Sequence, residues 1–313
     1  MAFLETKDFL DFTELTKDEV YKILSLSSEL KKEGKNKKRY DIEGKTVALI
    51  FNKPSTRTRV SFEAGIFQLG GNPIYLHSSD LQIKRGETIS DTAKVLSSYT
   101  DLIVIRTHAH EEAQELAKHA SIPVVNALTD LYHPCQALAD LLTVQEHKER
   151  LGGINLAYFG DGNNVCHSLM IAAKKCGINM KIATPKGFEP SKDVVKLTEH
   201  MEGEGKIEVF NDSAKAASKA DVLYTDVWVS MGEEDEDKHL TLFKPYQINK
   251  ELVSKAKDDA IVMHCLPAHR GEEITADVID SKQSVIFDQA ENRLYTQKAL
   301  LVGLIGVEHE NIL

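Results

Sequence analysis

Thr46-Val47-Ala48-Leu49-Ile50-Phe51-Asn52-Lys53-Pro54-Ser55-Thr56-Arg57-Thr58-Arg59-Val60-Ser61-Phe62-Glu63 is the stretch that decides the fold. Its first six residues form a short apolar run with β-branched members, which reads as a buried strand. Phe62, Ile66 and Leu69 then recur at helical spacing, so a helix is predicted to begin near Ser55. A buried strand feeding a helix is the opening of a βαβ unit, and the chain is predicted to be α/β. Ligands of such sheets gather beyond the carboxyl ends of the strands. Here that spot presents hydroxyls, a guanidinium and the free N–H groups of a first helical turn, which together suit an anion. Arginine in particular contacts phosphate oxygens in pairs. The competing reading is plain capping by Ser55, with the arginines on the surface.

The same rhythm continues on either side. Strand-like runs recur at 74–76, 102–105 and 124–126, with helical patterns at 58–69, 88–98 and 111–119. A second series of strands runs through 155–160, 181–184, 222–226, 261–266 and 284–288. The predicted architecture is two domains, each a parallel sheet flanked by helices, linked by bridging helices. The long helical pattern from His133 to His147 is one bridge, with Leu151-Gly152-Gly153 at its end, and Asn292 to Leu313 reads as another helix. Thr16 with Glu19 three residues on has the form of a capping box.

Bulk composition agrees. The 313 residues suit two domains of about 150. With 42% hydrophobic and 27% charged residues, the chain can support buried cores. A formal charge of −10 argues against sequence-independent nucleic-acid binding, which needs clustered cations, but leaves room for a local basic pocket. Cys135, Cys166, Cys176 and Cys265 form no disulfide framework, the first residues contain no signal peptide, and no apolar run would span a bilayer. A cytoplasmic protein is expected. The basic stretch Lys31–Lys38 and the acidic run Glu233–Asp237 both read as solvated segments.

Further candidates follow the other strands. Arg106 adds a cation after the 102–105 run, against the alternative of a surface arginine. His133-Pro134-Cys135-Gln136 opens a helix with two side chains able to donate to a carbonyl oxygen, although a lone histidine is more often structural. Gly160-Asp161-Gly162-Asn163-Asn164 invites a dinucleotide reading, but Val165 stands where the fingerprint needs its third glycine. The loop is still expected to bring backbone close to a ligand. Asp226, at the end of a strand, suits a cationic amine or a simple turn. His264-Cys265-Leu266-Pro267 offers a thiol for catalysis, metal or packing, without structural-zinc spacing. Glu291-Asn292-Arg293 adds one more cation.

Taken in order, these segments resemble the aspartate/ornithine carbamoyltransferase family over nearly the whole chain. Ser55-Thr56-Arg57-Thr58-Arg59, Arg106 and His133-Pro134-Cys135-Gln136 are similar to its carbamoyl-phosphate contacts. Asp226 with Ser230-Met231-Gly232, and His264-Cys265-Leu266-Pro267, resemble its ornithine-using members. The resemblance implies a carbamoyl-phosphate-binding domain over 1–148, an ornithine-binding domain over 149–290, and a C-terminal helix over 291–313 that returns to the first. It implies transfer of a carbamoyl group from carbamoyl phosphate to the δ-amine of L-ornithine, giving L-citrulline and phosphate, in arginine metabolism. Ser55, Thr56, Arg57, Thr58, Gln82, Arg106, His133, Gln136, Cys265, Leu266 and Arg293 would bind carbamoyl phosphate. Asn164, Asp226, Ser230 and Met231 would bind ornithine, and Arg106, His133, Asp226 and Cys265 would act in catalysis. A homotrimer is implied, with sites at subunit boundaries and Gln82 reaching a neighbour's site; no metal or organic cofactor is called for. The segment 231–240 is a further candidate, as a lid over ornithine. Alternatives are a carbamoyltransferase for another amine such as putrescine, an NAD-dependent dehydrogenase built on the 155–164 loop, or a non-catalytic binding role.

Overall fold

The computed structural model describes residues 1–37, 39–77, 81, 86–228 and 236–307, with the backbone alone for 236–239. The chain forms two compact units, one made of residues 1–142 and 291 onward, the other of Thr143–Ala290.

The first unit opens with α1 (Lys17–Glu33). Thr16 Oγ1 accepts from the Glu19 amide at 3.2 Å and Glu19 Oε2 accepts from the Thr16 amide at 2.8 Å, so the expected capping box is formed. Then β1 (Thr46–Phe51), α2 (Thr56–Gln68), β2 (Asn72–His77), α3 (Ile89–Tyr99), β3 (Leu102–Arg106), α4 (His110–His119) and β4 (Val124–Leu128) alternate, and α5 (Pro134–Lys148) follows. The strands form a parallel sheet in the order β2-β1-β3-β4. Val47 to Phe51 are all buried, as expected of a parallel strand covered on both faces.

The second unit carries β5 (Asn155–Phe159), α6 (Asn164–Cys176), β6 (Asn179–Ala183), α7 (Lys192–His200), β7 (Ile207–Phe210), α8 (Ser213–Ala217), β8 (Val222–Thr225), α9 (Glu236–Phe243), α10 (Lys250–Val253), β9 (Ile261–His264) and α11 (Ala276–Ile279). Its sheet is parallel throughout, in the order β7-β6-β5-β8-β9. The last helix, α12 (Ile286–Ile305), begins in this unit and continues into the first.

Two local expectations are corrected, and one strand was not expected. The 284–288 run is no strand: Ser284 makes a single bridge to Val262, and α12 starts at Ile286. A short apolar run with β-branched residues does not separate a strand from a buried helix start. The strand β7 lacked a signal because Ile207-Glu208-Val209-Phe210 is a short, half-exposed edge strand. Glu236 and Asp237, expected in a loop, open α9 instead.

Candidate active site

In the first unit, four strand and helix ends supply one group of cations and hydroxyls. Ser55 caps α2, its Oγ accepting from the Thr58 amide at 3.3 Å. Thr56 and Arg57 are exposed on the first turn and Thr58 is buried. The capping alternative therefore holds for Ser55, but it leaves Arg57 available to a ligand. Asn52 donates its amide to the Arg106 carbonyl at 2.8 Å, and its side chain donates to Thr107 Oγ1 at 2.8 Å. These bonds tie the loop after β1 to the end of β3. Between Ile105 and Arg106 the β3–β4 register shifts, so that Arg106 pairs with Leu128 and Ala127 is skipped. Such a bulge re-aims the side chains beside it.

Arg293, only 3% exposed on α12, donates through Nη1 to Gln136 Oε1 at 2.7 Å and through Nη2 to Thr58 Oγ1 at 3.0 Å. Gln136 Nε2 in turn donates to Asp140 Oδ1 at 2.8 Å. Asp140 is a functional candidate that the sequence reading missed. Its signal was the i, i+4 spacing from Gln136 on one helix face.

The electrostatics of this group are those of an anion site. Arg106 Nε is buried and makes no hydrogen bond among the described residues. Burial, then the charges of Arg293 and Arg57, lower the Arg106 guanidinium to about 10. His133, 6% exposed, lies just before α5. Burial, then Arg293, Arg106 and Arg57, hold its pKa well below the usual histidine range, so the ring is neutral. Burial and Arg106 also lower Lys53. Positive groups that press on one another in this way are relieved by a bound anion. Cys135 is a packing thiol: it donates to the Asn126 carbonyl at 3.4 Å, and burial pushes its pKa up to about 12. Gln82 lies outside the described residues.

In the second unit the groups converge on Asp226, just after β8. Its Oδ1 accepts from Cys265 Sγ at 2.8 Å and from the Val227 amide at 2.8 Å. Its Oδ2 accepts from Asn163 Nδ2 at 2.8 Å. Asn163 is the cap of α6, with its Oδ1 accepting from the amides of Val165 and Cys166. It was seen in sequence only as part of a glycine loop. Asn164, the first residue of α6, is half-buried.

The glycine loop is packed against neighbouring chain at Gly162. A Cβ on Gly162 would lie 2.3 Å from the Pro190 backbone nitrogen, so the space over this glycine is filled by chain and not by a ligand. The dinucleotide reading loses its basis here as well as at Val165.

Beyond β9, half-buried Cys265 precedes Leu266, whose φ of 61° is rare for a side chain of its kind. The Leu266 amide donates to His264 Nδ1 at 2.8 Å, and His264 Nε2 lies 2.9 Å from Glu273 Oε1, with both side chains fully buried. Asp226, His264 and Cys265 stand close enough to hold a metal. Both ring nitrogens of His264 are already engaged, however, so this trio lacks an available imidazole. Ser230 and Met231 lie outside the described residues, as do Gly232 and residues 233–235 of the expected lid.

Two parallel-sheet units, one with clustered cations and hydroxyls and one with a carboxylate–thiol pair, suit an enzyme that transfers a group from an anionic donor. The chain belongs to the aspartate/ornithine carbamoyltransferase family. Residues 7–146 match the family's carbamoyl-P binding domain and residues 152–304 its Asp/Orn binding domain. The ornithine carbamoyltransferase of Oceanobacillus iheyensis is 56% identical over 307 residues, 97% of this chain and 95% of that protein. That of Bacillus thuringiensis is 55% identical over 303 residues, 96% and 95% of the respective chains. Among solved structures, the ornithine carbamoyltransferase of Pyrococcus furiosus superimposes with a TM-score of 0.93 at 50% identity, covering 97% of this chain and 99% of that one. The Thermus thermophilus enzyme gives 0.87 at 41% identity, covering 96% and 99%.

Proposed function

We propose that this chain transfers the carbamoyl group of carbamoyl phosphate to the δ-amine of L-ornithine, releasing L-citrulline and phosphate. The observation that carries this reading is the convergence of Arg57, Arg106 and Arg293 on one another and on a neutral His133. Ser55, Thr56, Arg57, Thr58 and Arg106 hold the phosphate and absorb the charge that grows on it as it leaves. Arg106, His133 and Thr58 donate to the carbonyl oxygen as it becomes an oxyanion. A neutral imidazole suits that role, because it can give an N–H without adding another charge to a crowded set of cations. Gln136 and Arg293 brace Thr58 and contact the carbamoyl group, with Leu266 and Gln82 as further contacts.

The attacking amine must be unprotonated, and an alkylammonium has a pKa near ~10.4. Asp226 and Cys265 orient the δ-amine, and one of them accepts its proton as the C–N bond forms. The tetrahedral intermediate then collapses with cleavage of the C–O bond to phosphate. Asn164, Ser230 and Met231 hold the α-amino and carboxylate ends of ornithine. No covalent acyl-enzyme is needed.

The working form is proposed to be a cytoplasmic homotrimer with sites at subunit boundaries. Exposed apolar side chains support an interface on the first unit: Val60 and Phe67 on α2, Ile74 on the edge strand β2, and Val95 and Tyr99 on α3. Among the described residues, no helix is long and apolar enough to cross a membrane. The reaction serves arginine metabolism, in synthesis or in breakdown. A colorimetric ureido assay run with ornithine, putrescine and aspartate tests the reading: citrulline from ornithine alone is expected, and turnover with putrescine in preference to ornithine would overturn it.

A further inference from the structure

A second cluster of ligating groups lies outside the proposed reaction, on the turn between β9 and α11. His269 Nδ1 is 3.5 Å from Glu272 Oε2 and 3.9 Å from Glu273 Oε2, and one ligand atom from each residue lies within 4.8 Å of the other two. Glu273 is fully buried, and its two oxygens are used unequally. Oε1 accepts from the His269 amide at 2.6 Å and stands 2.9 Å from His264 Nε2. Oε2 is buried and accepts no hydrogen bond among the described residues. A buried carboxylate oxygen without a donor is costly unless a cation meets it.

We infer that His269, Glu272 and Glu273 form a binding site for a borderline divalent cation of the Zn²⁺ class, separate from the carbamoyl-transfer groups. The chemistry and spacing agree. One imidazole and two carboxylates are a common zinc donor set, and a fourth position stays open to water. A tetrahedral ion with bonds of about 2.0–2.2 Å places neighbouring ligand atoms about 3.4 Å apart, close to the two separations from His269. The outer ligands, His269 and Glu272, are reachable from solvent. The inner one, Glu273, holds His264, which accepts from the Leu266 amide beside Cys265. An ion at this site therefore fixes the carboxylate on which the turn after β9 rests.

The test is titration of the full chain with Zn²⁺ and with Co²⁺, read by calorimetry and by the visible spectrum. Expected are one equivalent per chain, cobalt d–d bands without a thiolate charge-transfer band, and affinity at least tenfold weaker in both His269→Ala and Glu272→Gln. Both substitutions change accessible side chains, and a circular-dichroism melt confirms that the variants are folded. Cys265→Ala should bind Zn²⁺ as the unmodified chain does, which separates this site from the Asp226–Cys265 pair. Absence of saturable binding, undiminished affinity in either His269→Ala or Glu272→Gln, or a thiolate band abolished by Cys265→Ala would each overturn the proposal. These results do not depend on which amine the enzyme carbamoylates.

Discussion

Arg293 donates to the side-chain oxygen of Gln136 at 2.7 Å, across 157 residues of sequence. That bond fixes which way the Gln136 amide points, and the 2.8 Å bond from its nitrogen to Asp140 fixes it a second time. A buried amide held from both ends keeps Arg293 aimed at Thr58. Removing Asp140 leaves the amide nitrogen without its charged acceptor. Asp140→Ala should therefore lower the unfolding free energy by about 1.5–3 kcal/mol, the usual worth of a hydrogen bond to a charged group. It should also raise KM for carbamoyl phosphate more than KM for ornithine. Urea unfolding and steady-state kinetics with each substrate varied in turn would measure both effects.

Arg57 offers the cleanest probe of phosphate binding, because its side chain is exposed and little folding energy rests on it. Arg57→Ala keeps a good helix former on the first turn of α2. It should cost ~10²–10³ in kcat/KM for carbamoyl phosphate and leave the thermal midpoint nearly unchanged. Turnover like that of the unmodified chain would sink the phosphate assignment.

The Cys265–Asp226 contact predicts the opposite partition. Cys265→Ala removes a donor to the Asp226 carboxylate and changes no residue of the first unit. KM for ornithine should rise and kcat should fall, while protection by a phosphonate analogue of carbamoyl phosphate alone is retained. Loss of analogue binding with intact ornithine kinetics would count against the role given to this pair.

His133 makes stability depend on pH with a definite sign. Its folded pKa lies well below the usual value, chiefly through burial. The unfolded chain takes up the proton near about pH 6.5 while the folded chain refuses it. Stability is therefore fully present above that pH and is lost as the pH falls toward the folded value. His110, lowered by burial as well, adds a contribution of the same sign. His133→Gln should flatten the fall in unfolding free energy between pH 7.5 and 5.5, and an unchanged slope would show that the ring is not held neutral.

Gly162→Ala tests the packing of the glycine loop. The added methyl meets the Pro190 backbone at 2.3 Å, and no flexible side chain is there to move aside. Overpacking of this kind costs about 1–3 kcal/mol, and displacement of the loop would also disturb the cap residue Asn163 and its bond to Asp226. A thermal melt together with the KM for ornithine reports both consequences.

Particular elements show where reading from sequence succeeded. The run 46–51 and the helix after it were legible because hydrophobic periodicity and a cap residue coincide within a few positions. Asp226 and Cys265 could be singled out as strand-end residues and through the family resemblance, but their contact could not be, since 39 positions separate them and nothing local says that they touch. The helical start at Ile286 was misread because short apolar runs are ambiguous, and the half-exposed edge strand β7 gave no signal to read. Asn163, Asp140 and Glu273 were overlooked for a different reason. Each acts on a neighbour's orientation, and such a role exists only once the partner's position is known.

What the sequence by itself determined was the α/β class, the helix start capped by Ser55 and the family likeness. Those features live in local periodicity, in the chemistry of a single turn, and in the order of short motifs. Tertiary structure alone decided that Arg293 returns from the far end of the chain to Thr58 and Gln136, and that burial among three guanidiniums keeps His133 neutral. It also decided that Gly162 is covered by chain instead of by a ligand. The physical reason is the same in each case. Proton affinity, amide orientation and free space depend on which distant groups come within a few ångströms, and only the packing of the folded chain sets that.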